Sequence, residues 1–391
     1  MNDPNDPHDP ERVTTAIPTR WVGPIRASGR ALSSETQSAE VPGGEAPGSN
    51  APRSEAQSCE TARSGTACAE FEVPLASYET PLWPSVGRGA RVSRAVPGGI
   101  RTVIVGERMT RSVLFVADDA VGAHLASQQI TARIPELERV VTASSRHARL
   151  VEVHPEIVGH LLFVRFAFST DDASGHNMAT QAADALMDQI LSWGLGIGYG
   201  SISANLCVDK KASAVNGVLG RGRSVVADIL IPHRVVRQQL RTDATRISEL
   251  VVRKNLVGST LAGAIRSANA HYANMLLAFY LATGQDAANI VEGSQGITLA
   301  EVREEGLYFS CTIPHLIVGT VGNGKHLPHV EYALERLGCR EEREPGANSR
   351  RLAAMIAATV LCGELSLLAA QTNPGELMAA HRRFEREGAG A

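Results

Sequence analysis

The sequence predicts an α+β protein in which a large domain surrounds a central buried helix and a small split βαβ unit is inserted in the chain. Between Arg111 and about Gly200, strand-like runs (SVLFV, HARLVEVHPEI, HLLFVRFAF) alternate with helix-like ones (DDAVGAHLASQQI, ATQAADALMDQILSW). Two such sets suggest a compact unit with an antiparallel sheet. From roughly Leu261 to Ala282 the chain reads LAGAIRSANAHYANMLLAFYLA, apolar nearly all round, which places one long helix in the middle of a domain. At 391 residues and 43% hydrophobic, the chain can bury a large core divided into two or three units.

Residues 1–16 are rich in Asp and Pro, and 27–69 are dominated by Ser, Ala, Glu, Gly and Pro. Such segments bury too little apolar surface to offset their ordering entropy, so a disordered N-terminus and a low-complexity insert are expected. IPTRWVGPI, around 17–26, reads as a short strand or turn that rejoins the folded body, and 70–111 continue the large domain. The small domain is expected over 112–200. The strand SVVADILIP and the buried helix RLAAMIAATVLCGELSLLAA belong to 201–375, the rest of the large domain; ELMAAHRRFERE, within 376–391, is a polar tail that can fold over something.

Thirty-eight Lys and Arg against 41 Asp and Glu give a formal charge of −3, which argues against a dedicated nucleic-acid binder. No run is read as approaching the roughly 20 apolar residues of a spanning helix, and no signal segment opens the chain; a cytoplasmic protein with no membrane partner is the expectation. Cys59, Cys68, Cys207, Cys311, Cys339 and Cys362 form no CxxC pair and no ligand cluster. They read as reduced thiols, with no metal site.

The stretch NLCVDKKASAVNGVLGRGRS sets Asp209, Lys210 and Lys211 side by side among small residues. Three adjacent ions cannot all be buried for packing, since each unpaired buried charge costs several kcal/mol. They are either solvated or used. Lys210 can present an ammonium to a developing oxyanion. Glu79, in ASYETPLWP, is an acid among apolar neighbours, where desolvation would favour the protonated form and make it a proton donor. Read without the others it is a loop glutamate, as Asp286 in ATGQDAAN is a helix cap and His381 a solvated histidine near the chain end. The glycine loops VGRGAR, GRGRS and GTVGNGK let backbone amides approach a phosphate, but none matches GxxxxGK[ST] or a strand-linked GxGxxG, so a P-loop kinase is not indicated.

Taken in order, VPLASYETPLWPSVGRG, ERMTRS, SSRHARL, FSTDDASGHNM, SANLCVDKKASAVNGVLGRGRSVVADILIP, KNLVGSTLAGAIRSANAHYANMLLAFYLATGQDAANIVEGSQGITL, GTVGNGK and AATVLCGELSLLAA resemble the hydroxymethylglutaryl-CoA reductase family, in its soluble bacterial-type form. The resemblance covers about Ile17 to Arg386 apart from the insert. It implies a large α+β domain around a central helix, an inserted ferredoxin-like domain that binds a nicotinamide dinucleotide, and homodimers or tetramers with active sites at the subunit interface. The implied reaction is the four-electron reduction of hydroxymethylglutaryl-CoA to mevalonate and free coenzyme A by two hydrides from NADPH.

Carried over position by position, the resemblance implies that Lys210 holds the substrate carbonyl oxygen as it becomes an oxyanion. Glu79 protonates the intermediate aldehyde, Asp286 lies between these two and tunes both, and His381 protonates the departing thiolate. One lysine flanked by two carboxylates is an arrangement that pushes pKa values apart. The substrate carboxylate would meet Arg111, Ser203, Asp209, Lys211 and Lys254, with Asn205 and Asn274 ordering the lysine. Coenzyme A would lie along Ser85, Arg88 and Arg91 and near Arg237. The dinucleotide would use Ser145, Arg146 and His147, the run Asp172, Ala173, Ser174, Gly175, His176 and Asn177, and Arg386. Arg146 beside serines favours the extra phosphate of NADPH over NADH.

Three departures from the family pattern stand out. The cofactor loop usually of DAMGMNM type reads DASGHNM, with Ser174 and His176 in place of methionines; Ala380 stands where a serine is common before the tail histidine; and no ENVIG-type stretch precedes IPTRWVGPI. Two other readings are compatible with the motifs: oxidation of mevalonate with NAD in the catabolic direction, and a coenzyme-A-binding homologue without turnover. The joint presence of Glu79, Lys210, Asp286 and His381 speaks against the second.

Overall fold

A computed structural model describes residues 15–33 and 68–386. Most of the two expected low-complexity segments, with Cys59, lies outside the described residues. The insert is narrower than composition suggests. Ala27 and Ser28 complete strand β1 (Thr19–Ser28), Arg30–Leu32 form a 3₁₀ turn, and Cys68 and Ala69 open β2 (Cys68–Ala76). Pairing orders these small residues where residue type does not: Ala27 lies opposite Ala69, and Ser28 opposite Cys68.

Helix α1 (Leu82–Arg94) leads into β3 (Ile100–Ala117), the longest strand. Its first half, Arg101 to Arg108, pairs antiparallel with β7 (Gly222–Pro232); its second half, Met109 to Val116, pairs with β5 (Leu161–Ser169). One strand therefore serves two sheets, and the expected boundary at 111/112 falls inside a continuous element. Around its second half are β4 (Arg149–Val158), β6 (Ile197–Ser201) and the helices α2 (Ala120–Ala132), α3 (Ile134–Ser144) and α4 (His176–Ser192). The strand order β4-β5-β3-β6 is that of a split βαβ unit. The large sheet runs β2-β1-β3-β7-β10-β9-β8, with β8 at Ser267–Ala268, β9 at Gly296–Val302 and β10 at Gly306–Leu316. Each half of the molecule has its own apolar core.

The single helix expected over Leu261–Ala282 does not form. Only Tyr272–Ala282 (α5) is a continuous helix of that stretch. Gly263 (φ 71°) and Arg266 (φ 50°) are left-handed, and the chain passes through the short β8 instead. The start of α5 is set by a distant group: Glu364, fully buried, accepts the backbone N–H groups of Ala270 (2.6 Å) and His271 (3.1 Å). These amides precede a helix start and would otherwise lack partners. The central element is α6 (Ala347–Gln371), 25 residues long. It is long and apolar enough to cross a membrane, contrary to the reading of the sequence, but 94% of its apolar window is buried inside the protein. A helix apolar all round is placed by what surrounds it, and here that is the protein's own core.

Helix α1 crosses α6 at Gly89, where an added Cβ would stand 2.3 Å from the Cys362 carbonyl oxygen. Backbone meets backbone, so no side chain can yield. Gly89→Ala is expected to destabilise the fold by about 1–3 kcal/mol in denaturant unfolding, overpacking outweighing the gain in helix propensity.

Candidate functional site

The turn from Asn205 to Lys210 is where the two halves meet, and its backbone is strained. Asn205 (φ 59°), Val208 (φ 43°) and Lys210 (φ 54°) are all left-handed without being glycine. Each such residue costs on the order of 1–3 kcal/mol and persists only where neighbours over-determine it. The neighbours do so here. The Cys207 N–H donates to Ser112 Oγ (3.0 Å), the Asn216 side chain to the Val208 carbonyl (2.9 Å), and the Lys210 N–H to Glu292 Oε1 (3.1 Å).

Strain aims the Lys210 side chain at Asp286, with Nζ 2.7 Å from Oδ2. Both side chains keep about two-fifths of their surface (41% and 42%), so the pair adds no more than about 1 kcal/mol of stability. That is less than the turn costs, which points to a site rather than a staple. The bond to Asp286 raises the Lys210 pKa against partial burial, with further help from the charges of Asp286, Asp209 and Glu292. Burial would push Asp286 up, but Lys210, the Ala288 N–H and His176 outweigh it and hold the carboxyl below its usual range. Asp286 also caps the following turn through Ala288 N (3.1 Å), as its helix-cap reading expects.

Beneath the turn lies a buried ionic web that residue patterns alone did not single out. Arg221, 1% exposed, donates to the Thr110 carbonyl (2.7 Å) and hydroxyl (2.9 Å) and to Asp209 Oδ1 (2.5 Å). Its Nε stands 3.7 Å from Glu292 Oε1. Burial pushes Asp209 up, yet His176 and Arg221 pull it well below the usual carboxylate range. Burial raises the Glu292 pKa, opposed by bonds to its carboxylate and by Arg221. Arg221 is the first arginine of GRGRS, a glycine loop whose backbone amides looked able to approach a phosphate. It is instead used internally, as is Arg223, which bonds Glu107, the Val318 carbonyl and the Asp171 carbonyl. Of the other two glycine loops, residues 86–91 lie inside α1, and in the second Gly319 packs on the backbone of Ala173 and Ser174 while residues 321–323 stay exposed.

Glu79 does not join this pair within one chain. It is exposed rather than desolvated, and its Oε2 accepts from the Asn274 side chain (2.9 Å). Asn274 stands near the start of α5 and therefore orders Glu79, not Lys210. The lysine is next to the far end of the helix, roughly 12 Å along its axis. The other carboxylates whose charge acts on Lys210 are Asp209 and, after it, Glu292. His381 rides on α7 (Glu376–Arg386), half-buried; Arg386 ends that helix.

Of the substrate-binding candidates, Arg111 bonds Thr180 Oγ1 (2.6 Å) and Ser203 Oγ (3.3 Å) at the mouth of the same turn. Lys211 is exposed and reaches the Asp209 carbonyl (3.2 Å). Asp209 is taken up by Arg221 and, being an anion, repels a carboxylate rather than binding it. Lys254, half-buried, has its pKa lowered by desolvation, with Glu364 opposing. Among the coenzyme A candidates, Arg91 and Arg237 are exposed. Ser85 bonds Ser366 Oγ (3.1 Å), and Arg88 is fully engaged by Ser366 and by Glu376 (2.6 Å), tying α7 to α6. Arg88 is thus a structural tie and not an open phosphate fork.

Of the dinucleotide candidates, Arg146 and His147 are exposed; His147 Nδ1 lies 3.0 Å from Asp171, and Ser145 Oγ accepts from the Ala148 N–H (3.0 Å). Asp172 is committed elsewhere: it accepts the Gly346 (3.1 Å) and Ser349 (2.8 Å) N–H groups and caps α6. Ala173 bridges Val321, Ser174 packs on Gly319, and Gly175 (φ 91°) turns the chain into α4, which begins with His176 and the exposed Asn177. Among the described residues no group of His, Cys, Asp and Glu could hold a metal ion, and five cysteines are unbridged.

Chemically, a strained turn on a mixed α+β frame that offers a paired ammonium is an arrangement able to stabilise a developing oxyanion. Residues 60–386 match the family model described as hydroxymethylglutaryl-coenzyme A reductase. The chain is 44% identical over 307 residues to the 3-hydroxy-3-methylglutaryl-coenzyme A reductase of Pyrococcus abyssi, covering 78% of this chain and 75% of that one. It is 42% identical over 324 residues to that of Aeropyrum pernix, covering 82% and 76%. In three dimensions it is similar to the class II reductase of Streptococcus pneumoniae bound to NADPH, with TM-score 0.66, 19% identity, and coverage of 93% and 87%. The chain belongs to the hydroxymethylglutaryl-coenzyme A reductase family, and is an oxidoreductase.

Proposed function

We propose that the protein reduces hydroxymethylglutaryl-CoA to mevalonate and coenzyme A with two equivalents of NADPH, as a cytoplasmic enzyme of isoprenoid precursor synthesis. The observation that carries this reading is the 2.7 Å pairing of Lys210 with Asp286 on a turn whose strain exceeds what the pair repays. NADPH, when bound, supplies the hydrides. The residues present suit a dinucleotide: the exposed Arg146 offers a guanidinium to a phosphate, and Gly175 opens the N-terminus of the 17-residue helix α4. In this reading Lys210 stays protonated at neutral pH and places its ammonium on the thioester oxygen as negative charge develops. Asp286 holds the amine in place, and Arg111 and Ser203 meet the substrate carboxylate at the rim. His381 protonates the departing thiolate, and Glu79 the aldehyde oxygen.

The separation of Glu79 from Lys210 favours a site completed by a second copy of the chain. An exposed apolar sheet face with Val103, Val105, Ile297 and Leu299 supports such a partner. Mixing inactive Glu79→Gln with inactive Lys210→Ala is then expected to restore about a quarter of wild-type activity, since half the random dimers carry one intact site. No restoration would place each whole site within one chain. The reaction itself is tested by following NADPH oxidation with and without hydroxymethylglutaryl-CoA, and with NADH in its place. Oxidation independent of the thioester, or a clear advantage for NADH, would overturn the corresponding part of the reading.

A further inference from the structure

Lys325 is the last residue of GTVGNGK, a loop that motif reading left without a function. Its side chain turns inward: the residue is 7% exposed, and Nζ donates to the Gly284 carbonyl. Gly284 sits at the bend between α5 and Asp286, with φ 60°, and an added Cβ there would meet the Val330 side chain at 2.9 Å. The next residue, Gln285, accepts the Gly319 N–H (2.9 Å) and donates to the Thr283 carbonyl (2.8 Å). The segment that presents Asp286 to Lys210 is therefore held from below by one loop, through a backbone amide and a buried ammonium. Asp286 is the charge that acts on Lys325, and Arg340 contacts only the Lys325 carbonyl (3.2 Å).

We infer that Lys325 is a positioning residue for the reduction, a buried cation that fixes the Gly284–Asp286 bend and so the aim of Asp286 at Lys210. A lone ammonium in such a place is costly and would be replaced by an apolar group if it served packing alone. Its charge strengthens the bond to the Gly284 carbonyl and favours the ionised form of Asp286. Desolvation lowers the Lys325 pKa to about 8, with Asp286 opposing, so the bend is held most firmly below that pH. Lys210, whose pKa is raised, titrates well above this range and cannot produce the same change.

This inference rests on the reading of Lys210 and Asp286 given above, and two measurements keep the two separable. In the first, wild type is expected to lose kcat as pH rises through about 8. Lys325→Met should turn over about 10-fold more slowly at neutral pH and lack that limb. Lys325→Arg, charged throughout, should be faster than the Met variant and move the limb to higher pH. A limb of unchanged position in Lys325→Met would overturn the inference, whereas failure of the wild type to use the thioester would overturn the functional reading.

The second measurement needs no substrate. A lysine whose folded pKa lies below its unfolded value burdens the folded chain while charged, so stability is regained as pH rises from about 8 towards the ordinary 10.5. The denaturation midpoint of wild type should therefore climb relative to that of Lys325→Met across this window. A constant difference would mean that Lys325 is not a buried cation, and the inference falls.

Discussion

Lys210→Ala is expected to abolish the first hydride transfer, lowering kcat by about 10³-fold, while substrate still binds weakly through Arg111, Ser203 and Lys211. The loss falls on kcat because the ammonium meets full negative charge only as the carbonyl oxygen becomes an oxyanion. Folding should be little affected: the pair with Asp286 is two-fifths exposed, and Ala removes a strained residue's long side chain without touching the N–H that bonds Glu292. A variant that turns over like wild type would contradict the assignment. Equal thermal midpoints with lost turnover would separate chemistry from stability.

His381→Gln should divide the reaction. Reduction of the thioester is expected to slow by about 10²-fold or more, the range for loss of a positioned general acid. Reduction of free mevaldehyde should be largely spared, because no thiolate leaves in that half-reaction. Helix α7 is tied down at its start by Glu376 to Arg88 and Asn373, so the variant keeps its frame. Equal loss in both half-reactions would mean that His381 acts by placing the helix and not by giving a proton.

The carboxylates show how far residue patterns reach. ASYET, DKK and GQD were each legible as uncommon settings for an ion, whereas the nearness of Asp286 to Lys210 was expected only through the family resemblance. Which acid holds the backbone of the lysine turn was not legible. Glu292 sits in VEGS, which looks like any helix end, and becomes important only because the left-handed Lys210 N–H lands on its carboxylate. Arg88, Arg221 and Asp172 failed in the opposite sense. Their surroundings looked open to a phosphate or a dinucleotide, yet each is consumed by a partner more than ten residues away in the chain.

Periodicity likewise identified what could be buried but not what was continuous. The two apolar stretches at 261–282 and 351–370 look alike in composition. One is broken by Gly263 and Arg266 and capped by Glu364, while the other runs on as α6. Taken alone, the sequence settled the class of fold, the family and the order of the chemical motifs, because apolar spacing and rare ion settings are properties of short segments. The tertiary structure decided which ions are paired, which helix is central, and that Glu79 stands apart from Lys210. Those outcomes depend on electrostatic and packing partners distant along the chain, and burial makes every such pairing a matter of several kcal/mol.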